Sequence, residues 1–551
     1  MLLYSIVALA TSITAVSAQF VKPPTDLKKV SGHAGTTVRY KEVPAGICET
    51  TEGVKSYSGY VDTEKDEHIF FWYFESRKDP KNAPLTVWFN GGPGSSSMIG
   101  LFQEVGPCGI YPNGTLYNNE YAWNSESNLL IVDQPVTTGF SYSEVGPVIM
   151  DTRGIVVKEL EDNKCPDDTH FFETCATLSL PSKTKAPKST SQAAPAMWKT
   201  VQGFLGAFPE LENAPITIAT ESYGGHYAPT FATYFLEQND KNVEGAILLN
   251  LKSVMIGNGW YDPKVQYMAF YNFTVSPGNT YDLKPFSKEK GEDLYTQVFG
   301  HGMCLDLIED CYRTNSASVC RKADGFCASS VEQFLTRHAH RDEYDIRQVD
   351  PDRFPYSRYA SYLNEAHVLK AIGAFQNYTE SSDLIWKSFS KTGDDARRRG
   401  SISKLRELVK RGITVTLYAG DADYNCNWLG GEIVAEKVGG ASFSKAGYQN
   451  ITSKNKDVPG QVKQHGRFSF ARIYYSGHEV PFYQPIAASE LHHRTVHGLD
   501  LATGQEAVSD GYVTKGSPKS EFREGGDTVQ HHIAKTGSLY DFKKHIPVKP
   551  N

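Results

Sequence analysis

Seven runs along the chain are rich in apolar and β-favouring residues: 68–75 (HIFFWYFE), 84–90 (PLTVWFN), 128–133 (NLLIVD), 215–220 (PITIAT), 252–257 (KSVMIG), 413–419 (ITVTLYA) and 468–475 (FSFARIYY). Several are apolar on both faces, which predicts strands buried in a sheet covered by helices on each side. Helical periodicity is clearest over 194–209 and 223–237. Strands alternating with helices in this way predict an α/β fold with a mostly parallel sheet.

Two segments interrupt the rhythm. Residues 150–193 carry Cys165, Cys175 and the Lys/Ser/Thr/Pro-rich run "LPSKTKAPKSTSQAAP", which reads as a mobile surface excursion. Residues 262–395 hold a cysteine cluster and helical pieces between two strand runs, as an inserted lid over the edge of the sheet would. The expected division is a leader at 1–18, a first core part at 19–261, the lid at 262–395, a second core part at 396–500 and a polar extension at 501–551. The basic run "DDARRRGS" (394–401) reads as a solvated loop, and there is no internal repeat.

Composition narrows the picture only slightly. With 551 residues, 40% hydrophobic and 12% aromatic, the chain can form one large core. A net charge of −7 is small for this size and argues against nucleic acid or an anionic membrane as a partner. The opening "MLLYSIVALATSITAVSA" has the apolar stretch of a secretory signal, with Val16-Ser17-Ala18 as a cleavage pattern before Gln19. No later run is long and apolar enough for stable membrane insertion. An oxidising destination follows, and sequons at Asn113, Asn272, Asn377 and Asn450 are candidate glycosylation sites there. Nine cysteines allow four bridges and leave one thiol. Cys304, Cys311, Cys320 and Cys327 lack histidine neighbours, so secretion favours disulfides over a structural zinc.

The candidate chemistry centres on "ITIATESYGGHYAPTF" (216–231), where a strand run meets a helix at a sharp polar corner. A nucleophile elbow of the α/β-hydrolase type has the pattern G-x-S-x-G, with triad order serine, acid, histidine. Here Thr220 replaces the first glycine before Ser222 and Gly224. Backbone N–H groups at the following helix start suit a developing oxyanion. "LYAGDADYNCNW" offers Asp421 and Asp423 after a later strand, and spacing does not choose between them. "IYYSGHEVPF" presents His478 after another strand. His226, one helical turn beyond Ser222, is its rival but would point back along the helix. A glycine-rich corner, "WFNGGPGSSSMIGLFQEVGP" (88–107), lacks the lysine of a phosphate loop and could supply a second oxyanion donor. Taken alone, Glu104 in this stretch reads as a surface charge.

N-G-G-P-G-S-S at 90–96, E-S-Y-G-G-H-Y at 221–227, D-A-D-Y-N-C-N-W at 421–428 and G-H-E-V-P at 477–481 resemble the serine carboxypeptidases; "DQPVTTGFSYS" (133–143) and "YLN" (362–364) are similar too. The resemblance runs from about residue 40 to 500 and is strongest to the secreted fungal carboxypeptidase S1 group. It implies an α/β-hydrolase fold and release of C-terminal amino acids from peptides or proteins, with no cofactor and no metal. Ser222 would be the nucleophile, His478 the base and Asp423 its acid, with the backbone N–H groups of Gly92 and Tyr223 holding the oxyanion. Asn90, Glu104 and Glu221 would grip the substrate's C-terminal carboxylate, one glutamate keeping a proton, which implies activity at acidic pH. Glu479, where some relatives have methionine, would line the leaving-residue pocket and favour C-terminal Lys or Arg. The family's nested pair implies Cys304–Cys327 and Cys311–Cys320; Cys48–Cys108 and Cys165–Cys175 are then assigned to the rest. Cys426 matches an unpaired thiol near the acid, implying sensitivity to mercurials. Departures are Thr220 in place of a family glycine, expected to strain or reshape the crowded elbow, Thr137 in place of another, and Ser95 in place of a half-cystine. Export to the medium is the expected destination, with a vacuole as the alternative. An esterase or acyltransferase on the same triad, and a silent binding protein, are the competing functions.

Overall fold

The computed structural model describes residues 20–111, 113–351, 355–398, 400–521, 540–541 and 546–547; the proposed leader lies outside them. A twelve-stranded sheet organises the chain. Across it the strands run Lys28–Ser31, Thr37–Val43, Ser56–Glu64, Glu67–Phe74, Asn128–Val132, Leu85–Phe89, Ile216–Glu221, Leu251–Gly257, Thr414–Gly420, Phe468–Ile473, Gly460–His465 and Gln449–Ile451. The six from Asn128–Val132 to Phe468–Ile473 are mutually parallel, and antiparallel strands flank them on both sides. The register sets Ala219 opposite Trp88 on one side and Met255 on the other.

The two-sided apolar character of the central strands has a direct structural meaning. Successive side chains of a strand point to opposite faces. Leu85, Val87 and Phe89 therefore enter one core with Leu130, Val132, Ile216 and Ile218, while Trp88, Leu129, Ile131 and Ala219 enter a second core across the sheet. Helices Thr190–Ala207 and Gly224–Lys241 close the first core with Val201, Phe204, Phe231 and Phe235. Helices Met98–Gln103 and Pro485–Val496 contribute Met98, Leu101, Ala488 and Leu491 to the second. Each fully buried Leu, Ile or Phe contributes about 1.5–3 kcal/mol, so the central strands are rigid supports for the loops at their ends.

Between Leu251–Gly257 and Thr414–Gly420 the chain leaves the sheet for a run of helices, including the antiparallel pair Cys304–Thr314 and Ala317–Cys327, which Cys304–Cys327 and Cys311–Cys320 cross-link. The other cystines are Cys48–Cys108 and Cys165–Cys175.

Two expectations are corrected here. The 150–193 excursion is not a loose loop: Val145–Asp151 is the centre of a three-stranded antiparallel sheet with Val156–Glu159 and Glu173–Ser179. Val148, Ala176, Leu178 and Leu180 form its own small apolar cluster. Alternating apolar residues outweigh the polar composition of the following run, whose end from Thr190 is already helix. The "DDARRRGS" segment is not wholly solvated either, since Asp394 is fully buried and accepts hydrogen bonds from Thr190 Oγ1 at 2.9 Å and Tyr223 Oη at 2.7 Å.

Candidate active site

Ligand crevices in open α/β sheets lie outside the carboxyl ends of the parallel strands, and five such ends meet here. Ser222 follows Ile216–Glu221 and has φ of 60°, a left-handed conformation that costs a non-glycine residue about 1–3 kcal/mol. The corner is held by Ser222 N donating to Gly257 O at 3.1 Å, and by Gly225 N and Trp260 N donating to Ser222 O at 2.9 and 2.8 Å. Thr220 remains in the strand, donates its hydroxyl to Phe89 O at 2.5 Å and does crowd the corner, since a Cβ at Gly224 would stand 2.1 Å from its Oγ1; the left-handed residue is the serine itself. Thr137, with φ of 74°, does occupy a backbone region that favours glycine, with Oγ1 2.9 Å from Ser382 Oγ.

Ser222 and His478 line one cleft of about 510 Å³, together with Asn90, Gly92, Glu221 and Glu479. His478 Nδ1 lies 2.7 Å from Asp423 Oδ2. Asp423 is fully buried; Asn258 Nδ2 donates to its Oδ2 at 2.7 Å, and Cys426 N to its Oδ1 at 3.2 Å. His478 N donates to Tyr344 O at 2.9 Å, and the two rings pack 4.8 Å apart. A ring whose Nδ1–H is committed to a carboxylate leaves Nε2 free to accept a proton. Asp423, and not Asp421, meets the histidine: Asp421 accepts from Tyr281 Oη at 2.7 Å and faces the buried Arg472 at 3.9 Å. His226 is buried with Nε2 3.3 Å from Asp395 Oδ1.

The glycine-rich loop 90–97 lies directly against the elbow. A Cβ on Gly91 would stand 2.5 Å from Tyr223 N, so only glycine permits this approach, and Gly92 has φ of 108°. The Gly92 and Tyr223 backbones are thus beside Ser222, and the Tyr223 ring is tied down by buried Asp394. Backbone donors so fixed need no reorganisation when an oxyanion forms.

Three carboxyl groups gather at the cleft wall: Glu221 and Glu479 line it, and Glu104 lies buried beside Glu221. Asn90 Nδ2 donates to Glu221 Oε1 at 2.8 Å, while Asn90 Oδ1 accepts from Trp88 Nε1 at 2.8 Å and Gly100 N at 3.1 Å. Glu104 is 3% exposed, which corrects its reading as a surface charge, and its carboxyl group lies against Glu221 and Asn90 within hydrogen-bonding reach. Burial, then the charges of Glu221 and Glu479, push its pKa well above the usual carboxylate range. Glu221 is raised by burial against the pull of His478, and Glu479 well above the usual range by burial and Glu221. Several carboxyls enclosed together cannot all ionise cheaply, so at least one holds a proton and can donate to a carboxylate. For His478, burial opposes protonation, but Asp423, Glu221 and Glu479 outweigh it and push the pKa up to about 9.

The remaining sequence candidates are spread more widely. Cys426 is a buried free thiol, raised by burial and by Asp423, and one ligand atom each from Asp423, Cys426 and His478 lie within 4.8 Å of one another. Asn113 and Asn450 are exposed and Asn272 is half-buried. Asn377 is corrected as a glycan site: it is 6% exposed, with Oδ1 accepting from Thr177 N and Nδ2 donating to Asn364 Oδ1. Asn258, Tyr344 and Asp394 escaped the sequence reading. So did Arg153 and Ile155, which the excursion brings to the cleft opposite exposed Trp386. No local pattern marks them, since each acts through a contact distant in sequence.

The comparisons with known proteins agree with this architecture. A carboxypeptidase S1 homolog B from Arthroderma otae is 37% identical, over 90% of this chain and 81% of its own. Carboxypeptidase S1 from Penicillium janthinellum is also 37% identical, over 81% of this chain and 95% of its own. Among solved structures, the prohormone-processing carboxypeptidase Kex1(delta)p from Saccharomyces cerevisiae has the same fold, with a TM-score of 0.65 and 21% identity over 82% of this chain and 95% of its own. The serine carboxypeptidase profile matches residues 45–498. The chain belongs to the serine carboxypeptidase family.

Proposed function

We propose that this enzyme is exported and removes single C-terminal amino acids from peptides under acidic conditions through an acyl-enzyme on Ser222. The observation that carries the reading is one cleft that brings together a left-handed serine, a histidine bonded to a buried aspartate, and a cluster of enclosed carboxyl groups. His478 Nε2 takes the hydroxyl proton as Ser222 Oγ attacks the last peptide carbonyl. The Gly92 and Tyr223 N–H groups hold the oxyanion, and His478 returns the proton to the departing amine. Water then enters, gives a proton to His478 and attacks the ester carbonyl; His478 passes that proton to Ser222 Oγ as the C–O bond breaks, restoring both side chains. Asn90 and the Glu104–Glu221 pair hold the free carboxylate, which places the last peptide bond, and no other, at Ser222. The apolar leader supports export, and among the described residues no helix is long and apolar enough to cross a membrane.

The pH dependence has two opposed limbs. Glu104 and Glu221 have raised pKa values, so the proton that binds a carboxylate persists above the ordinary glutamate range and is lost at higher pH. KM for a free peptide therefore rises with pH. His478 must lose its proton to act as base, so kcat rises with pH; protonating Glu221 and Glu479 removes two of the charges that hold the imidazolium. A peptide with a free C-terminus should show a bell-shaped kcat/KM whose maximum lies on the acid side of that for its C-terminal amide. Matched profiles for the two substrates check this; superimposable profiles, or a KM for the free peptide that stays flat through neutrality, refute it.

Glu479 lines the cleft, with Oε2 buried and without a hydrogen-bond partner. Held neutral in the empty site, it ionises when a guanidinium or ammonium enters beside it. Peptides ending in Arg or Lys should be preferred over Leu, increasingly so as pH rises. Glu479→Gln should lower the Arg-to-Leu ratio of kcat/KM about tenfold, ~1.4 kcal/mol of pairing. A clear preference for Leu in the parent enzyme would remove Glu479 from this pocket.

A further inference from the structure

Away from the cleft, three donor side chains from two elements converge. Glu126 directly follows the helical turn Trp123–Ser125; His493 and His497 close helix Pro485–Val496. Histidines four residues apart share one helix face, and these rings have centres 4.6 Å apart. One ligand atom from each of the three residues lies within 4.8 Å of the other two.

The finer geometry favours a cation. His493 Nδ1 is buried without a hydrogen-bond partner and lies 3.4 Å from Glu126 Oε2. Around a tetrahedral zinc with bonds of about 2.0–2.1 Å, neighbouring ligand atoms stand about 3.3–3.4 Å apart, so this pair already has the required separation. His497 is exposed and offers the third ligand atom beside the His493 ring, leaving the fourth position to water. Two imidazoles and one carboxylate form a set suited to zinc rather than to calcium or magnesium, which take oxygen ligands.

We propose that Glu126, His493 and His497 bind one divalent cation of the zinc class, at a site separate from the cleft, and that the ion clips the end of helix Pro485–Val496 to the turn before strand Asn128–Val132. Lys78 pairs with Glu126, and Lys454 adds positive charge near His493. Both work against a cation, so binding should be reversible rather than permanent.

The test is titration of the intact protein with zinc chloride at neutral pH, read by calorimetry and by the melting temperature. The parent chain should bind zinc and melt higher with it. His497→Ala, a change at an exposed position, should weaken binding at least tenfold and abolish the rise in melting temperature; Glu126→Gln should weaken it too. Carboxypeptidase turnover without zinc should be unchanged in both. Substituting cobalt(II) separates this site from the Asp423–Cys426–His478 cluster: two imidazoles with one carboxylate give visible d–d bands without the intense near-ultraviolet absorption of a cobalt thiolate. No binding at about 1 mM zinc, equal affinity in His497→Ala, or a cobalt spectrum dominated by thiolate absorption would overturn the proposal.

Discussion

Ser222→Ala is expected to lower kcat for release of a C-terminal residue about 10⁶-fold, the scale on which serine hydrolases lose their nucleophile. KM should change little, because the carboxylate grip proposed for Asn90, Glu104 and Glu221 does not use the hydroxyl. The variant should fold: the left-handed backbone at 222 is held by Gly257 O, Gly225 N and Trp260 N, none of which involves the side chain. Alanine tolerates φ of 60° no better than serine, so a small change in melting temperature is the only structural consequence expected. Pre-steady-state kinetics on an activated ester should show an acyl-enzyme burst in the parent protein and none in the variant. A variant retaining more than about a thousandth of parental kcat would mean that another group performs the attack.

The second large effect concerns Asp423, which touches no substrate. Its carboxylate fixes His478 with Nδ1 protonated, and is itself fixed by Asn258 Nδ2 and Cys426 N. In Asp423→Asn an amide N–H faces His478 Nδ1, which then accepts, and the ring proton moves to Nε2, where it blocks the base. The expected loss in kcat is about 10⁴-fold with the cleft geometry intact. Removing the negative charge also removes the largest force holding a proton on His478, so its pKa should fall from about 9. An NMR titration of the imidazole reads this shift independently of activity. Asp421→Asn provides the contrast: it disturbs the buried contacts of residue 421 with Tyr281 and with Arg472, and so the fold's stability, yet leaves the histidine's partner in place.

How much of this could be read from the sequence follows from which contacts are local. The parallel strands are legible because Leu129, Leu130, Ile131 and Val132 must all be buried, and only a sheet covered on both faces buries consecutive residues. The outer antiparallel strand Thr37–Val43, paired with Lys28–Ser31 and Ser56–Glu64, is not: it alternates buried and half-exposed residues with Arg39, Lys41 and Glu42 among them, a pattern shared with ordinary loops. Ser222 stands out because its corner is local, with strand, serine and glycines in one stretch. Asp421 and Asp423 are equivalent by spacing because both lie on the same loop; what separates them is Tyr281 and Arg472 on one side and His478 and Asn258 on the other. Glu104 is the clearest failure of local reading. It follows the short helix Met98–Gln103 and is enclosed by Glu221 and Tyr418, more than a hundred positions away. The Asn377 sequon fails for the same reason, since a tripeptide pattern carries no information about the Thr177 backbone packed on it.

The central claim is that the histidine–serine pair works on a bond selected by a grip on the chain terminus. The most direct measurement follows one peptide and its C-terminal amide by mass spectrometry at acidic pH. The account predicts that the free peptide loses residues singly from its C-terminus, while the amide, lacking the carboxylate, is processed with a much higher KM. Internal cleavage, or equal KM values for the two, would contradict it.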